Sequence, residues 1–172
     1  MLKLKEKKNV SKALSVALLL LALLAGACTD YESFTQNASA HLEFSADTIA
    51  FDTIVSTVPS TTKTLTVYNR NSSGLRISSV QLADGASSHF RVNVDGEWLS
   101  QGKGEDFRVY RKDSIIVRIE VTVPEVGTNE IGTIKDILYF QLESGNRQEV
   151  VLTAGAIDAY MVHGMIIHQD ST

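Results

Sequence analysis

From residue 41 onward apolar side chains recur at every second position, the spacing of a strand with one face in a core. SIIVRIEVTV shows it most cleanly. Ile115, Val117, Ile119, Val121 and Val123 share one face, while Arg118, Glu120 and Thr122 share the other. Pro124 ends the run, because it has no N–H to give a ladder. TKTLTVYN repeats the pattern with Leu65 and Val67 against Thr64, Thr66 and Tyr68, and FRVNV does so with Phe90, Val92 and Val94. In DILYFQL the inward set is Leu138, Phe140 and Leu142. Asp95-Gly96 is a hairpin-turn pair, and Ser144-Gly145-Asn146 separates DILYFQL from a last strand, RQEVVLTA. Further strands are expected at HLEFS, TIAFDTIV, LRISSVQL and DFRVY, and no segment between 40 and 155 carries a helical stripe. Eight or nine short strands with regular turn signals predict an all-β fold, an antiparallel β-sandwich, with a closed barrel as the alternative.

The first 27 residues follow a different pattern. Lys3, Lys5, Lys7, Lys8 and Lys12 precede a charge-free apolar run over residues 13–27 that ends in Ala25-Gly26-Ala27. These are the three parts of a cleaved export signal. The run is shorter than the roughly 18 residues expected of a spanning helix. Cys28 follows directly and is the only cysteine, so it has no disulfide partner and no companion thiolate for a zinc site. Leu24-Ala25-Gly26-Ala27-Cys28 resembles a bacterial lipobox. That resemblance implies cleavage before Cys28, a diacylglyceryl group on its thiol and an acyl chain on the new amino group. Each buried methylene adds about 0.8 kcal/mol, and two or more chains hold where one does not. No other cofactor is expected.

The expected organisation is therefore a signal peptide over 1–27, the lipidated Cys28 with a flexible tether to residue 40, a sandwich over 41–157 and a C-terminal tail over 158–172. The tether, TDYESFTQNASA after the cysteine, is polar and poor in aliphatic residues. Its Asp30 and Glu32 resemble the acidic residues that follow the lipidated cysteine in surface-exported lipoproteins of the Bacteroidota. Removal of the signal takes away five Lys and one Glu, which moves the net charge from −4 to −8. An acidic domain argues against a nucleic-acid partner and against electrostatic attraction to anionic lipid, so membrane contact is expected through the lipid alone.

The order of landmarks in the body of the chain resembles the immunoglobulin-like domains of the Hydin and major-sperm-protein group. That order is DTIVST, then KTLTVYNRNSSGLRISSVQL, HFRVNVDG, DSIIVRIEVTVP and DILYFQLESGNRQEVVLTAGA. More closely, Leu42 to Ala159 resembles the N-terminal domain of large outer-surface lipoproteins of the Bacteroidota, through the phrases FDTIVSTV, VYNRN, FRVNVDG and LTAGAIDAY. In those relatives a longer region follows, often a right-handed parallel β-helix. This sequence instead continues to MVHGMIIHQDST, so two expectations stand: a shortened relative or fragment whose tail is a truncated continuation, or a domain that works alone. The resemblance implies a lipid-anchored outer-membrane protein at the cell surface, with the periplasmic face as the alternative. Its domain would serve as a structural, adhesion or assembly module.

Candidate chemistry is sparse. His41, His89, His163 and His168 have no metal-ligand spacing, and carboxylates such as Asp84, Asp95 and Asp106 stand singly, so no catalytic residue and no metal site is expected. Trp98, after the Asp95-Gly96 turn, is a candidate stacking platform for a sugar, although a lone Trp at a sandwich edge also caps cores. With Tyr110 and Tyr139 it supports an alternative function, a carbohydrate-binding component of a glycan-uptake system. A periplasmic assembly chaperone ranks third, since such chaperones are usually soluble and basic in the binding cleft. Asp47-Thr48-Ile49, Asp52-Thr53-Ile54 and Asp113-Ser114-Ile115 resemble the sites at which Bacteroidota O-glycosylate exported proteins, which makes Thr48, Thr53 and Ser114 candidate acceptors. An Asp turn leading into a β-branched strand gives the same triplet for backbone reasons.

Overall fold

A computed structural model describes residues 32–123 and 132–157. The expected export signal, Cys28 and the C-terminal tail lie outside the described residues. Among the described residues there are ten strands: β1 (Glu43–Phe44), β2 (Thr48–Val55), β3 (Lys63–Tyr68), β4 (Leu75–Leu82), β5 (Phe90–Val94), β6 (Glu97–Trp98), β7 (Lys103–Val109), β8 (Ser114–Val121), β9 (Gly132–Leu142) and β10 (Arg147–Ile157). The helical structure among the described residues is one 3₁₀ turn, Gly85–Ser87. Every segment expected as a strand contains one, and Glu97–Trp98 is added as the return arm of the Asp95-Gly96 turn. HLEFS shrinks to two residues, and the DFRVY strand starts earlier, at Lys103.

The strands form two sheets ordered β1-β3-β8-β5-β6 and β2-β10-β9-β4-β7. The fold is an immunoglobulin-like β-sandwich rather than a closed barrel. Its pairs are antiparallel except for β2 with β10, which run parallel with Thr48 beside Val151 and Val55 beside Ile157. After β2 the chain crosses to the other sheet. Thr57 donates its N–H to Val123 at 2.7 Å and Ser60 donates to Val121 at 3.0 Å. Thr57 takes a φ of 67° to make that step.

Alternation places the inner faces together. Val117, Ile119 and Val121 of β8 meet a layer built from Leu138, Phe140 and Leu142 of β9 with Val150 and Leu152 of β10, all fully buried or nearly so. Burying one such side chain stabilises by roughly 1.5–3 kcal/mol. Two aromatic contacts join the sheets, Phe44 with Phe140 at 5.0 Å and Phe51 with Phe90 at 6.1 Å. Two bulges reset the alternation. The β2–β10 register jumps from Phe51 to Thr53 and leaves Asp52 as the extra residue. On β4, Ser78 is skipped by both neighbours and donates its hydroxyl to Gln141 at 2.9 Å, while Asp106 on β7 takes a φ of 57°.

The tether expected over 28–40 is corrected for residues 32–40, which pack against the sandwich. Phe34 forms a parallel bridge with Gly74, Gly74 donates to Ser33 at 2.8 Å, and Thr35 donates to Gly74 at 3.0 Å. The Phe34 ring lies 6.0 Å from Tyr110 and 5.0 Å from the Arg76 guanidinium. A Glu32 oxygen accepts the Arg111 N–H at 2.8 Å, and its carboxylate is 3.5 Å from the Arg111 guanidinium. Further along, Ala40 and Leu42 are buried. The Gln148 side-chain amide pairs with the Leu42 backbone in both directions, at 2.7 and 2.8 Å, and Asn146 donates to Ala40 at 3.2 Å. One aromatic ring, one buried leucine and side chains from the β9–β10 turn hold a segment whose overall composition is that of a linker.

Candidate functional site

The β5–β6 hairpin sets the most distinctive surface. Asp95 and Gly96 have φ values of 50° and 97°, which a two-residue type I′ turn requires, and Val94 pairs with Glu97. Asn93 is buried and accepts the Gly96 N–H at 3.0 Å, which fixes the turn. Val92 and Val94 point into the core, so Arg91 and Asn93 point out. Trp98, opposite Asn93, follows them to the outer face of its sheet. It stays 45% exposed there, with the Arg91 guanidinium 4.8 Å from its ring.

Next in the sheet stands β8, where Arg118 faces Asn93 and Glu120 faces Arg91. Beyond it Thr64 and Thr66 of β3 face Arg118 and Ile116, and Ile116 is 41% exposed. The outer face therefore combines one indole, two guanidinium groups, hydroxyls and a carboxylate. Glu120 accepts the Thr62 hydroxyl at 3.0 Å.

A cavity of about 190 Å³ opens beside the same hairpin, with Leu82, Val92 and Leu99 inside and Arg91, Trp98 and Gln101 among its lining residues. It exists because the loops after β4 and β6 touch. A Cβ on Gly102 would stand 2.4 Å from the Gly85 carbonyl oxygen, and the two glycines take φ values of 76° and 55°. Behind this loop pair lies Asp136, a carboxylate on the inner face of β9. It accepts the Ser88 hydroxyl, the Ile137 N–H at 2.6 Å and the Asp84 N–H at 3.3 Å. Three donors allow it to be buried. DILYFQL begins with this residue on the parity of its leucines, a sign of an inward carboxylate that the apolar pattern overshadows.

The three aromatic residues expected to serve a sugar do not converge. Tyr139 lies on the opposite sheet beneath Arg147, whose guanidinium is 4.6 Å from its ring. Tyr110, 49% exposed, sits in the loop after β7 against Phe34. The residues that share the Trp98 face, namely Arg91 against its ring, Asn93 opposite it and Arg118 one strand further on, were missed by sequence reasoning. Counting register back from the two-residue turn would have found Asn93 and Arg91, and the polar face of SIIVRIEVTV already held Arg118.

Thr48 and Thr53 are exposed on β2, an edge strand, and Ser114 is half-buried at the start of β8, opposite Tyr68. Asp113 accepts the Ser114 N–H at 2.8 Å. Asp52 is the bulge residue described above, so two of the three triplets follow local backbone geometry. Among the described residues no three His, Cys, Asp or Glu side chains gather as metal ligands. His163 and His168 lie outside the described residues.

No family model matches the chain and no curated protein matches it. Solved structures with a similar arrangement include human CEP192 PapD-like domain 7, with a TM-score of 0.48 and 12% identity over 78% of this chain and 97% of that one. A protein of unknown function from Porphyromonas gingivalis W83 has a TM-score of 0.48 and 18% identity; the match covers 69% of this chain and 49% of that chain. WR4, a C. elegans member of the major-sperm-protein family, has a TM-score of 0.40 and 12% identity over 69% of this chain and 99% of that one. These are likenesses of fold.

Proposed function

We propose that this chain is a non-catalytic lipoprotein of the bacterial outer membrane, anchored through lipid on Cys28, whose immunoglobulin-like domain works as a structural, adhesion or assembly module facing outward. The observation that supports this reading most directly is the docking of residues 32–42 onto the sandwich through Phe34, Glu32 and Leu42. From Cys28 to Glu32 the chain can reach at most about 14 Å. A lipid on Cys28 would thus hold the domain close to its membrane and by one end. The lipobox and acidic residues after the cysteine favour a surface lipoprotein of the Bacteroidota type, and the exposure of Thr48 and Thr53 suits them as glycosylation acceptors. Fractionation of cells expressing Cys28→Ala tests the anchor: the variant is expected in the soluble fraction, and its persistence in membranes would overturn the reading. Protease shaving of intact cells tests the outward orientation.

A second reading, a carbohydrate-binding component of a glycan-uptake system, is favoured by the half-exposed Trp98, which shares one sheet face with Arg91 and Arg118. Binding on a glycan array that disappears with Trp98→Ala would establish it.

A further inference from the structure

Two arginines on the outer face of the β1-β3-β8-β5-β6 sheet carry no carboxylate. Among the described residues Arg70, Arg76, Arg108 and Arg111 pair with Glu43, Glu143, Asp106 and Glu32 at 3.4, 3.9, 3.3 and 3.5 Å. Arg91 instead stacks on Trp98, and Arg118 is exposed with no ion pair. The register makes them diagonal neighbours, since Arg91 faces Glu120 and Asn93 faces Arg118. Diagonal positions on one face lie about 7–8 Å apart, within reach of long side chains. Glu120, the nearest carboxylate by register, accepts the Thr62 hydroxyl and pairs with neither arginine.

Two adjacent guanidinium groups thus stand on one face without an ion pair, and the one carboxylate beside them is engaged by the Thr62 hydroxyl. Two guanidinium groups within reach of each other repel, and an anion held by both offsets that repulsion. A guanidinium presents a planar fork that matches a carboxylate in two parallel hydrogen bonds. Trp98 adds a flat apolar surface at the edge of the same row, and the cavity of about 190 Å³ opens next to Arg91 and Trp98. That volume is below the roughly 300–1,000 Å³ of a site that encloses a whole ligand, so it suits one ring or substituent, with the remainder on the open sheet.

We propose that this face binds an acidic saccharide, a glycan whose sugar rings bear carboxylates. Arg91 and Arg118 hold a carboxylate, Trp98 covers the apolar face of a ring, and the adjoining cavity takes a neighbouring substituent. The proposal rests on the second reading given above and specifies its ligand class. A neutral glycan would leave both arginines unpaired, and a bare anion would have no use for the indole.

Trp98 is the only tryptophan in the chain, so its emission reports on this site alone. The full chain is titrated with tetragalacturonate, with neutral cellotetraose and with tetraglutamate. A saturable change is expected with tetragalacturonate only. It should weaken about tenfold or more in Arg118→Ala, the loss of one charge-assisted contact, and recover in part in Arg118→Lys. Arg118 is exposed, so the variant should unfold at the parental denaturant midpoint. Equal binding of cellotetraose would retain the glycan reading and overturn the acidic class. Equal binding of tetraglutamate would overturn the saccharide. Emission and calorimetric heat unchanged with every probe would overturn both.

Discussion

Asn69, fully buried at the end of β3, donates its side-chain amide to the carbonyl oxygen of Val109 at 3.0 Å and so ties one sheet to the edge strand of the other. The same nitrogen reaches Ser73 at 2.9 Å and Tyr110 at 3.1 Å, while the side-chain oxygen accepts the backbone and side-chain N–H groups of Asn71 at 2.9 and 2.8 Å. One amide therefore ties the loop at Ser73 and the end of β7 at Val109 and Tyr110 to the end of β3. Asn69→Ala should lower stability by about 2–3 kcal/mol, and Asn69→Asp by at least as much, because it places a charge among carbonyl oxygens. Urea midpoints of the two variants check both magnitude and order.

Gly74 leaves the space that Phe34 occupies. A Cβ there would stand 2.8 Å from the ring and 3.0 Å from a Glu32 oxygen. Gly74→Ala should release residues 32–36 while the sandwich keeps its stability within about 1 kcal/mol. Phe34→Ala should do the same. Limited proteolysis reads the release directly, and parental resistance in both variants would show that the segment is held by something else.

Gly102 and Gly96 both have positive φ but differ in surroundings. Around Gly96 a Cβ meets nothing, whereas at Gly102 it meets the Gly85 backbone at 2.4 Å. Gly96→Ala should cost only its strain, about 1 kcal/mol. Gly102→Ala must also separate two loops, so it should cost more and alter Trp98 emission through the adjoining cavity. Equal denaturation midpoints for the two would contradict the contact.

Ser88 and Asp136 form a second polar anchor. Their hydroxyl–carboxylate bond joins the crossover after β4 to β9. In a double-mutant cycle with Ser88→Ala and Asp136→Ala, the coupling energy should be about 1–2 kcal/mol, with Asp136→Ala the larger single effect because it also strands the Asp84 N–H. A coupling near zero in equilibrium unfolding would reduce the bond to an incidental one.

The strands were legible because a two-residue period survives in almost every one of them, most clearly from Ile115 to Val121. What escaped the pattern has specific causes. Asp52 and Ser78 are bulge residues, and a bulge looks in sequence like a strand with its alternation out of step. The parallel partnership of β2 with β10 joins residues about a hundred positions apart, so no local signal announces it. Residues 32–40 have the composition of a linker, and their docking depends on single side chains meeting Gly74, Arg111 and Asn146. Trp98 was recognised as a candidate, but its companions come from β5 and β8, which only the register brings together. In VYNRN the buried Asn69 makes the bonds to Ser73, Val109 and Tyr110, which no periodicity announces.

The parallel run of β2 beside β10 has a mechanical meaning. Tension applied between Thr48, at the start of β2, and Ile157, at the close of β10, would draw these neighbouring strands past each other along their length. Their hydrogen bonds would then share the load together rather than open one after another. The β2–β10 pair is thus joined in shear, the geometry in which a ladder of weak bonds resists pulling best.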